Sequence, residues 1–528
     1  MTRCAKLSPI LFAALLAAAC KSAPPKVVPV PMKTAAALQK PVDISPHLVP
    51  QPASMTVGTG APFTITAATG IVVDPAVGQV QQIADMFAAI VRQATDYPIA
   101  VTTGTGMAPA GSIRLRLALD RDALGDEGYE LMVTSDSVRL VAHRQAGLFR
   151  GMQTLRQLMP AAIESHIGRD GQAWTIPAVT ISDAPRFAWR GAMLDVARHF
   201  FTVDEVKQYI DIIALYKINV LHLHLTDDQG WRIQINSRPK LAFVGGASEI
   251  GGASGGFFTQ QDYTDIVHYA EARFITVVPE IEMPGHSGAA LASYPEVSCG
   301  MKDGKEITPG TFCPDKEETY ALLDDVVREV AAITPGPFIH IGGDEVATLS
   351  DSVYIRFVQR AQDIVTKHGK RMIGWEEVIK AKLLPTSIAQ EWKSDSVLAA
   401  LAYGSKLILS PAKKIYLDMR YTPATELGLA WAAHVEVRDA YDWNPATIMP
   451  GVGESAILGI EAPLWAETVR NITAAEYLIM PRLPAAAEVA WTPQSARDWE
   501  SFRTRIAAHA ARWRYLGINY YPSPQIPW

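Results

Sequence analysis

Two adjacent carboxyl groups, Asp344 and Glu345, follow an apolar run in the sequence HIGGDE. Cleavage of a glycosidic bond needs a proton donor at the leaving oxygen and a group that stabilises positive charge at the anomeric carbon. Carboxyl groups usually supply both. Gly342 and Gly343 permit an unusual turn and a close backbone approach just before the pair. The pair therefore predicts acid catalysis on a sugar.

The adjacency of the two carboxyls also limits the mechanism. Neighbouring residues in an extended chain point in opposite directions. Asp344 and Glu345 then cannot easily flank one bond as acid and direct nucleophile, so another group should attack the anomeric carbon. The 2-acetamido oxygen of the substrate is such a group in substrate-assisted hydrolysis. We expect Asp344 to hold that group while Glu345 donates the proton.

The elements that must position these residues form a repeating pattern from residue 186 onward. Short apolar runs alternate with helical stretches, which is typical of βαβ units. The predicted strands are GAMLDVA, VLHLHL, ITVVPEI, FIHIGG, RMIGW, SIAQEW, KLILS and ILGIEAPLW. The amphipathic stretches between several of them span 203–216, 263–272, 320–333 and 353–368. The pattern predicts an α/β fold in which residues 186–528 form a (β/α)8 TIM barrel.

A barrel of this kind carries its active site at the C-terminal ends of its strands. The polar and aromatic residues that end or follow the predicted strands are Arg198, His199, Asp227, Asp228, Glu280, Glu282, His286, Asp344, Glu345, Trp375, Trp392, Tyr416 and Trp465. Each of these residue types is common in cores or on surfaces, so one of them alone indicates little. Their coincidence at one rim predicts a single polar and aromatic site.

Composition and charge exclude some classes of partner. The chain has 528 residues, 48% of them hydrophobic, and a formal net charge of −6. Its charges are spread rather than grouped into runs, which gives no electrostatic case for nucleic acid, and a neutral substrate fits better. Residues 53–181 combine short β-type runs with helical patterns at 80–94 and 146–159, which predicts a small N-terminal α+β domain. Residues 21–52, rich in Pro, Ala, Val and Lys, are predicted to be a tether.

The N-terminus has the order of a secretory signal. Basic residues precede an apolar run at 10–19, and Cys20 follows it. We therefore expect residues 1–20 to be a signal peptide and the protein to be exported to the periplasm or cell envelope. The segment LLAAAC also resembles a bacterial lipobox, in which Cys20 would be lipidated and would anchor an outer-membrane lipoprotein. Simple secretion with cleavage near Ala19 is the alternative.

The remaining two cysteines are Cys299 and Cys313. An exported protein meets oxidising conditions, in which two cysteines of one chain can pair. They are candidates for a disulfide bond that closes the loop CGMKDGKEITPGTFC. Two free thiols are the alternative, because the sequence alone does not give their separation.

Four motifs, in this order and spacing, resemble family 20 glycoside hydrolases, the β-N-acetylhexosaminidases. They are LDVARHF at 194–200, LHLTDDQGWR at 223–232, PEIEMPGHSGAA at 279–290 and HIGGDE at 340–345. The resemblance extends from about residue 53 to the C-terminus, because GYELMV and GLFRGMQTLRQLM resemble that family's N-terminal domain. It implies a retaining enzyme that releases terminal N-acetylglucosamine or N-acetylgalactosamine through an oxazolinium intermediate and needs no cofactor.

The resemblance also implies roles for residues at matching positions. Asp344 would stabilise the acetamido group, and Glu345 would act first as acid and then as base. The residues that would bind the sugar are Arg198, Trp375, Trp392, Tyr416, Asp418, Trp465 and Glu467. His286, with Asp228 or Glu282 nearby, would support the acid. The family usually has Asp where this chain has Glu282, so the His286 network is expected to differ here.

Two other functions are open from the residues alone. His222 and His224 alternate on one strand, and acidic residues such as Glu280 would complete the site of a metal-dependent hydrolase barrel. No further histidine pair follows the later strands, so we expect no metal, and His222 and His340 are predicted to be core residues. A non-catalytic surface protein that binds glycans is the second alternative. The segment 421–452 matches no motif and is a candidate for contacts with the leaving group.

Overall fold

The small domain predicted near the N-terminus is built around a mixed seven-stranded sheet. The structure is a computed structural model that describes residues 46–75, 78–107, 109–169 and 171–528. The strands of this domain are β1 (Ser54–Val57), β2 (Phe63–Thr64), β3 (Gly70–Val73), β4 (Ala100–Thr103), β5 (Ser112–Leu117), β6 (Tyr129–Val133), β7 (Ser137–Ala142), β8 (Thr175–Ile176) and β9 (Val179–Asp183). The large sheet has the order β1-β9-β6-β7-β5-β3-β4, and β2 pairs separately with β8. Parallel pairs join β4, β3, β5 and β7, whereas β6 runs antiparallel to both β7 and β9.

Two helices pack on this sheet. They are α1 (Gly78–Thr95) and α2 (Gln145–Leu158). The buried residues of α1 recur at helical spacing, as at Val80, Ala84 and Val91, so one face of the helix lies in the core. The helices predicted at 80–94 and 146–159 are thereby confirmed.

The boundaries of the small domain differ from the predicted ones. Leu48 and Val49 are buried, and Val49 exchanges two hydrogen bonds with the side chain of Gln157 in α2. The predicted tether 21–52 therefore extends too far, because its last apolar residues find partners in the core. Strand β9 likewise continues to Asp183, beyond the predicted end of the domain. The predicted signal peptide with Cys20, and the tether up to residue 45, lie outside the described residues.

The runs predicted as strands after residue 186 form a closed parallel barrel. The strands of this part of the chain are β10 (Trp189–Asp195), β11 (Val220–His224), β12 (Thr276–Glu280), β13 (Met301–Lys302), β14 (Lys305–Glu306), β15 (Phe338–His340), β16 (Arg371–Trp375), β17 (Ile388–Glu391), β18 (Lys406–Leu409) and β19 (Ile457–Leu464). Strands β13 and β14 form a separate hairpin. The other eight close the barrel in the order β10-β11-β12-β15-β16-β17-β18-β19, and the predicted (β/α)8 fold is confirmed.

Helices follow most barrel strands. They are α3 (Val203–Leu215), α4 (Lys240–Phe243), α5 (Gln260–Glu271), α6 (Gly288–Ser293), α7 (Glu317–Ile333), α8 (Asp351–Lys367), α9 (Ala412–Ile415), α10 (Val437–Tyr441), α11 (Pro445–Ile448), α12 (Ile472–Ile479), α13 (Arg482–Trp491) and α14 (Trp499–Leu516). Thr202 and Glu205 form a capping box that fixes the start of α3. The predicted amphipathic stretches correspond to α3, α5, α7 and α8. In the described part of the chain, no helix has both the length and the apolar character of a membrane span.

Buried charged groups join the small domain to the barrel. Glu127 accepts hydrogen bonds from Arg150 of α2 and from Arg190 of β10. Burial opposes a charge on Glu127, but the two arginines outweigh that effect and lower its pKa to about 2. Lys217 of the barrel lies 3.1 Å from Asp183 of β9. These contacts fasten the small domain to the barrel.

Candidate active site

A cavity of about 480 Å³ opens at the C-terminal ends of the barrel strands. Its lining residues are Arg198, His286, Asp344, Glu345, Trp375, Trp392, Lys393, Tyr416, Asp418, Leu429, Trp431, Trp465 and Glu467. All residues predicted to be catalytic or to bind sugar are among them. A larger cavity of about 840 Å³ lies on the sheet of the small domain, but no histidine or aromatic residue lines it. The residues that could carry out the predicted reaction therefore lie in the barrel cavity.

The backbone after strand β15 turns sharply instead of continuing as a strand. Gly342, Gly343 and Glu345 all have positive φ, at 65°, 92° and 56°. A side chain on Gly342 would collide with the carboxyl of Glu282, so only glycine fits there. In the extended chain expected from the sequence, the two carboxyls would point to opposite sides of the backbone. The turn instead brings both Asp344 and Glu345 to the same cavity.

One histidine nitrogen faces both carboxyls. The Nε2 atom of His286 lies 3.7 Å from an Asp344 oxygen and 3.7 Å from a Glu345 oxygen. The Asp344 side chain is 13% exposed, whereas that of Glu345 is 57% exposed. The buried Oδ1 of Asp344 has no hydrogen-bond partner among the described residues. Burial, with the charges of Glu377 and Glu280, outweighs His286 and raises the pKa of Asp344 to about 7.

The other nitrogen of His286 faces Asp227. The Nδ1 atom lies 3.4 Å from Asp227 and 4.0 Å from Asp228. Burial opposes a charge on His286, but a hydrogen bond to Asp227 and the charge of Asp344 outweigh it and raise the pKa of His286 to about 10. Asp228 was one of the two acids expected near His286, and it does lie close to the ring. Asp227 is the nearer partner, and Asp228 also accepts a hydrogen bond from the backbone N–H of Gly288 at 2.9 Å.

Glu282, the other acid expected near His286, is buried beneath the 342–344 turn. Neither of its oxygens has a hydrogen-bond partner among the described residues. Its Oε1 lies 3.9 Å from His224 Nδ1. Burial and the neighbouring carboxylates, Asp344 foremost, raise the pKa of Glu282 well above its usual range. The neutral form of the Glu282 carboxyl is thereby favoured behind Asp344.

Arg198 is fixed by the motif that carries it. The Asp195 carboxylate accepts hydrogen bonds from the backbone N–H groups of Ala197, Arg198 and Ala466, at 2.8, 3.1 and 2.9 Å. The Arg198 guanidinium lies 3.2 Å from Asp195 and 2.8 Å from Asp227. Its buried Nε has no partner among the described residues. The Arg198 side chain is thus held in place, and its Nε–H group remains available as a hydrogen-bond donor.

Aromatic rings form the walls of the cavity. Trp375 and Trp465 lie 5.7 Å apart between ring centroids, and Trp392 and Tyr416 lie 6.5 Å apart with nearly parallel planes. The Arg198 guanidinium lies over the Trp465 ring at 4.9 Å. Trp375 and Trp392 therefore face the cavity rather than serving only as packing residues.

Two acids that line the cavity have buried oxygens without hydrogen-bond partners among the described residues. Both oxygens of Asp418 and one oxygen of Glu467 are buried with no hydrogen-bond partner among the described residues. Burial raises the pKa of Asp418 well above its usual range, and Glu467 raises it further. Buried polar atoms are normally paired. These oxygens are suited to accept hydrogen bonds from the hydroxyl groups of a ligand.

The sequence missed several residues of the site. Trp431 is 55% exposed and packs edge-on against Trp392 and Tyr416, with Lys393 and Leu429 beside it in the lining. Trp431 belongs to the motif-free segment 421–452, so no pattern could identify it. Asp227 was expected at the rim among the polar residues that follow the strands, but no role was predicted for it.

Four groups of three side chains among the described residues have ligand atoms close enough for a metal ion, and the group in the barrel interior is largely used in other contacts. His222, Glu280 and His340 have ligand atoms within 4.8 Å of one another in the barrel interior. The two oxygens of Glu280 already contact Trp375 Nε1 at 2.8 Å and His224 Nδ1 at 2.5 Å. His222 Nδ1 lies 2.7 Å from a Glu461 oxygen. The Nε2 atoms of His222 and His340 have no hydrogen-bond partner among the described residues. Because the Glu280 oxygens are already taken within the protein, the arrangement does not favour a metal-dependent hydrolase.

The disulfide pairs Cys299 with Cys313. The loop that it closes packs on the segment that carries His286. The backbone N–H of Ser287 donates to Gly310, and that of Phe312 donates to Pro284, each at 2.9 Å. The cross-link therefore supports one wall of the site.

Comparison with known proteins agrees with this site. Residues 187–494 match the glycosyl hydrolase family 20 catalytic domain, and residues 45–184 match domain 2 of that family. The chain is 41% identical to a beta-N-acetylhexosaminidase of Cellulomonas fimi, over 91% of this chain and 97% of that protein. The beta-N-acetylhexosaminidase of Streptomyces coelicolor A3(2) is 46% identical and superposes with a TM-score of 0.87, covering 93% of this chain and 100% of that one. The N-acetyl-beta-hexosaminidase of Streptomyces plicatus has the same identity and TM-score, with 93% and 99% covered. The chain belongs to glycosyl hydrolase family 20.

Proposed function

We propose that the protein is a retaining β-N-acetylhexosaminidase that removes terminal N-acetylglucosamine or N-acetylgalactosamine from the non-reducing ends of glycans. The observation that carries this proposal is the convergence of Asp344 and Glu345 on one atom of His286 within an aromatic pocket. The relatives from Cellulomonas fimi and Streptomyces coelicolor bear names of this activity and match over nearly their whole length. Neither a binding protein nor a metal-dependent hydrolase accounts for that pair of carboxyls.

The reaction proceeds in two steps, each of which inverts the anomeric carbon. In the first step Glu345 donates a proton to the leaving oxygen while the 2-acetamido oxygen attacks the anomeric carbon. Asp344 stabilises the positive charge of the resulting oxazolinium ring, a task for which a buried carboxylate is suited. In the second step water attacks the anomeric carbon and Glu345 accepts the proton of that water. The bond between the anomeric carbon and the oxazolinium oxygen breaks, which regenerates the acetamido group. The configuration is therefore retained.

The sugar occupies the aromatic pocket. Trp375, Trp392 and Trp465 pack against its apolar faces, and Tyr416 donates a hydrogen bond to the acetamido carbonyl. Arg198 uses its fork of donors on the outer hydroxyl groups. Asp418 and Glu467 accept hydrogen bonds from hydroxyl groups of the sugar, which satisfies their otherwise unpaired oxygens.

Binding of a stable ring analogue tests this function. A bicyclic thiazoline derived from N-acetylglucosamine imitates the oxazolinium ring, and transition-state-like ligands bind about 10² times more tightly than ground-state ligands or better. We expect the thiazoline to inhibit at least about 100-fold more strongly than N-acetylglucosamine, and Asp344→Asn to remove that difference. Equal affinity for the two ligands would argue against participation of the acetamido group.

We also propose that the protein is exported and anchored in the cell envelope through lipidated Cys20. The signal-like N-terminus and the LLAAAC segment support this location, and a disulfide between Cys299 and Cys313 suits an oxidising compartment. Metabolic labelling with a radioactive fatty acid should mark the wild-type protein and not Cys20→Ser. Label on both proteins, or on neither, would contradict lipidation at this residue.

A further inference from the structure

A row of buried ionisable side chains leads from the barrel interior to the pocket. Its members are Glu461, His222, Glu280, His224 and Asp227, and none is more than 2% exposed. His222 lies 2.7 Å from Glu461 through Nδ1 and 3.1 Å from Glu280 through Nε2. His224 lies 2.5 Å from Glu280 through Nδ1 and 3.0 Å from Asp227 through Nε2. Carboxylate and imidazole thus alternate along this buried row.

The alternation places a carboxylate oxygen close to each nitrogen of both histidine rings. Burial opposes a charge on His222, but Glu280 and Glu461 outweigh that effect and raise its pKa to about 10. Glu280 and a hydrogen bond to Asp227 likewise outweigh the effect of burial on His224 and raise its pKa to about 9. The two imidazolium rings, together with Arg198 at the pocket end, balance the three carboxylates of the row. Removing one partner of a buried ion pair strongly destabilises the folded protein, because the remaining charge is left uncompensated. Each member of the row therefore depends on its neighbours.

Glu280 is the branch point of the buried row. One of its oxygens accepts a hydrogen bond from His224, and the other accepts one from Trp375 Nε1 at 2.8 Å. Through His224 the row reaches Asp227, whose second oxygen lies 3.4 Å from His286 Nδ1. Glu280 is therefore connected both to Trp375 in the aromatic wall of the pocket and, through His224 and Asp227, to the His286 ring beside Glu345.

We propose that Glu280 and His224 are positioning residues for the reaction. From the barrel interior they fix the orientations of Trp375 and His286, which reach the pocket. Neither Glu280 nor His224 lines the pocket, so they act through these two side chains and not on the sugar. The inference rests on the proposed function, because it concerns the geometry of that same reaction.

The pH profile distinguishes positioning from a merely structural role. The charged groups around His224 are Glu280, Glu282, Asp195, Asp227 and Arg198. When His224 is replaced by Gln, Asp227 loses the hydrogen bond that fixes its position but keeps its contact with Arg198, the main cause of its low pKa. His286 is then no longer held beside Asp344, whose pKa its positive charge lowers. The acidic limb of the kcat/KM profile should therefore move to higher pH.

Two variants and a matched control test the proposal by kinetics. In His224→Gln and in Glu280→Gln, kcat should fall about 100-fold, the effect expected when a reacting group is misplaced by about 1 Å. Circular dichroism and melting curves check that each variant is folded. The control is Tyr263→Phe, which removes a buried hydrogen bond of 3.0 Å to Thr334 elsewhere on the barrel and should leave kcat and the pH profile unchanged. Folded variants with wild-type kcat and an unshifted acidic limb would overturn the proposal.

A neutron diffraction map of the wild-type protein supplies a test that needs neither activity nor a variant. The proposal predicts deuterons on both ring nitrogens of His224 near neutral pH, directed at Glu280 and Asp227. A single deuteron on that ring would overturn the proposal, and this map decides the matter if the variants fail to fold. Absence of hexosaminidase activity in the wild type would instead overturn the proposed function, while the map would remain informative on His224.

Discussion

Asp344 and Glu345 are neighbours in the chain, yet 13% of the Asp344 side chain is exposed against 57% of the Glu345 side chain. The exposed carboxyl can reach a leaving group and exchange protons with water, whereas the buried one is suited to hold a developing positive charge. The left-handed backbone at Gly342, Gly343 and Glu345 creates this difference. The difference in exposure suits the two adjacent acids to different tasks.

Replacement of Glu345 by Gln should remove the proton donor. General acid–base catalysis contributes about 10²- to 10⁴-fold, so kcat on a substrate with a poor leaving group should fall by that factor. The loss should be smaller on a p-nitrophenyl glycoside, whose leaving group needs less protonation. Glu426→Gln, at an exposed position that does not line the pocket, serves as the control. Equal kcat values for wild type and Glu345→Gln on both substrates would contradict the assignment.

Asp344 should set the acidic limb of the kcat/KM profile. Burial raises its pKa to about 7, and only the carboxylate can stabilise the cationic ring. As the pH falls through 7 this carboxylate becomes protonated, so kcat/KM should fall, with an apparent pKa near 7. Asp344→Asn should have low activity that does not follow this limb. A wild-type limb below pH 5 would show that Asp344 titrates normally.

The same group should lower stability at alkaline pH. Asp344 releases its proton near pH 4 in the unfolded chain and near pH 7 in the folded protein. The charged carboxyl therefore destabilises the folded state fully above pH 7, by about 4 kcal/mol at most, and not at all below pH 4. Asp344→Asn should raise the Tm at pH 8 and leave it unchanged at pH 4. A lower Tm for Asp344→Asn at pH 8 would contradict this account.

Trp431 should matter for the leaving group more than for the terminal sugar. It is 55% exposed at the edge of the aromatic wall, where a second sugar would extend from the pocket. In Trp431→Ala, KM for a disaccharide of N-acetylglucosamine should rise about 10-fold, the effect of losing one aromatic contact of about 1.4 kcal/mol. KM for a p-nitrophenyl substrate should change less. Trp528→Ala, another partly exposed tryptophan that does not line the pocket, is the control.

The disulfide should stabilise the wall that carries His286. A cross-link that closes a loop of this length, with a separation of 14 residues, contributes about 3 kcal/mol. The double variant Cys299→Ser and Cys313→Ser should therefore melt at a lower temperature than the wild type. A reducing agent should lower the Tm of the wild type and leave that of the double variant unchanged. Identical melting of both proteins without reductant would refute the prediction.

Much of this fold was accessible from the sequence because the barrel strands are short, largely buried and mostly apolar runs. Runs such as VLHLHL and FIHIGG stand out between amphipathic helices, and the polar residues after them had to meet at one rim. Ends of domains were harder to place. Leu48 and Val49 lie in a stretch rich in proline and alanine, and only tertiary contacts show that they are buried.

Side-chain directions within the site were beyond the sequence. Asp227 and Asp228 are adjacent and identical in type, and the choice between them depends on which one turns toward Arg198 and His286. The positive φ of Glu345 likewise follows from the packing of the 342–344 turn rather than from a residue preference, since glutamate does not favour that region. Trp431 reaches the pocket from a segment without a recognisable pattern.

The most direct measurement compares hydrolysis of p-nitrophenyl N-acetyl-β-glucosaminide with that of p-nitrophenyl β-glucoside by the purified protein in the presence of a chelator. The two substrates differ only in the group that is proposed to attack the anomeric carbon. The account predicts rapid hydrolysis of the first substrate and a rate lower by about 10³-fold or more for the second, since a well-placed intramolecular nucleophile contributes at least that much. Comparable rates on both substrates would contradict substrate-assisted catalysis.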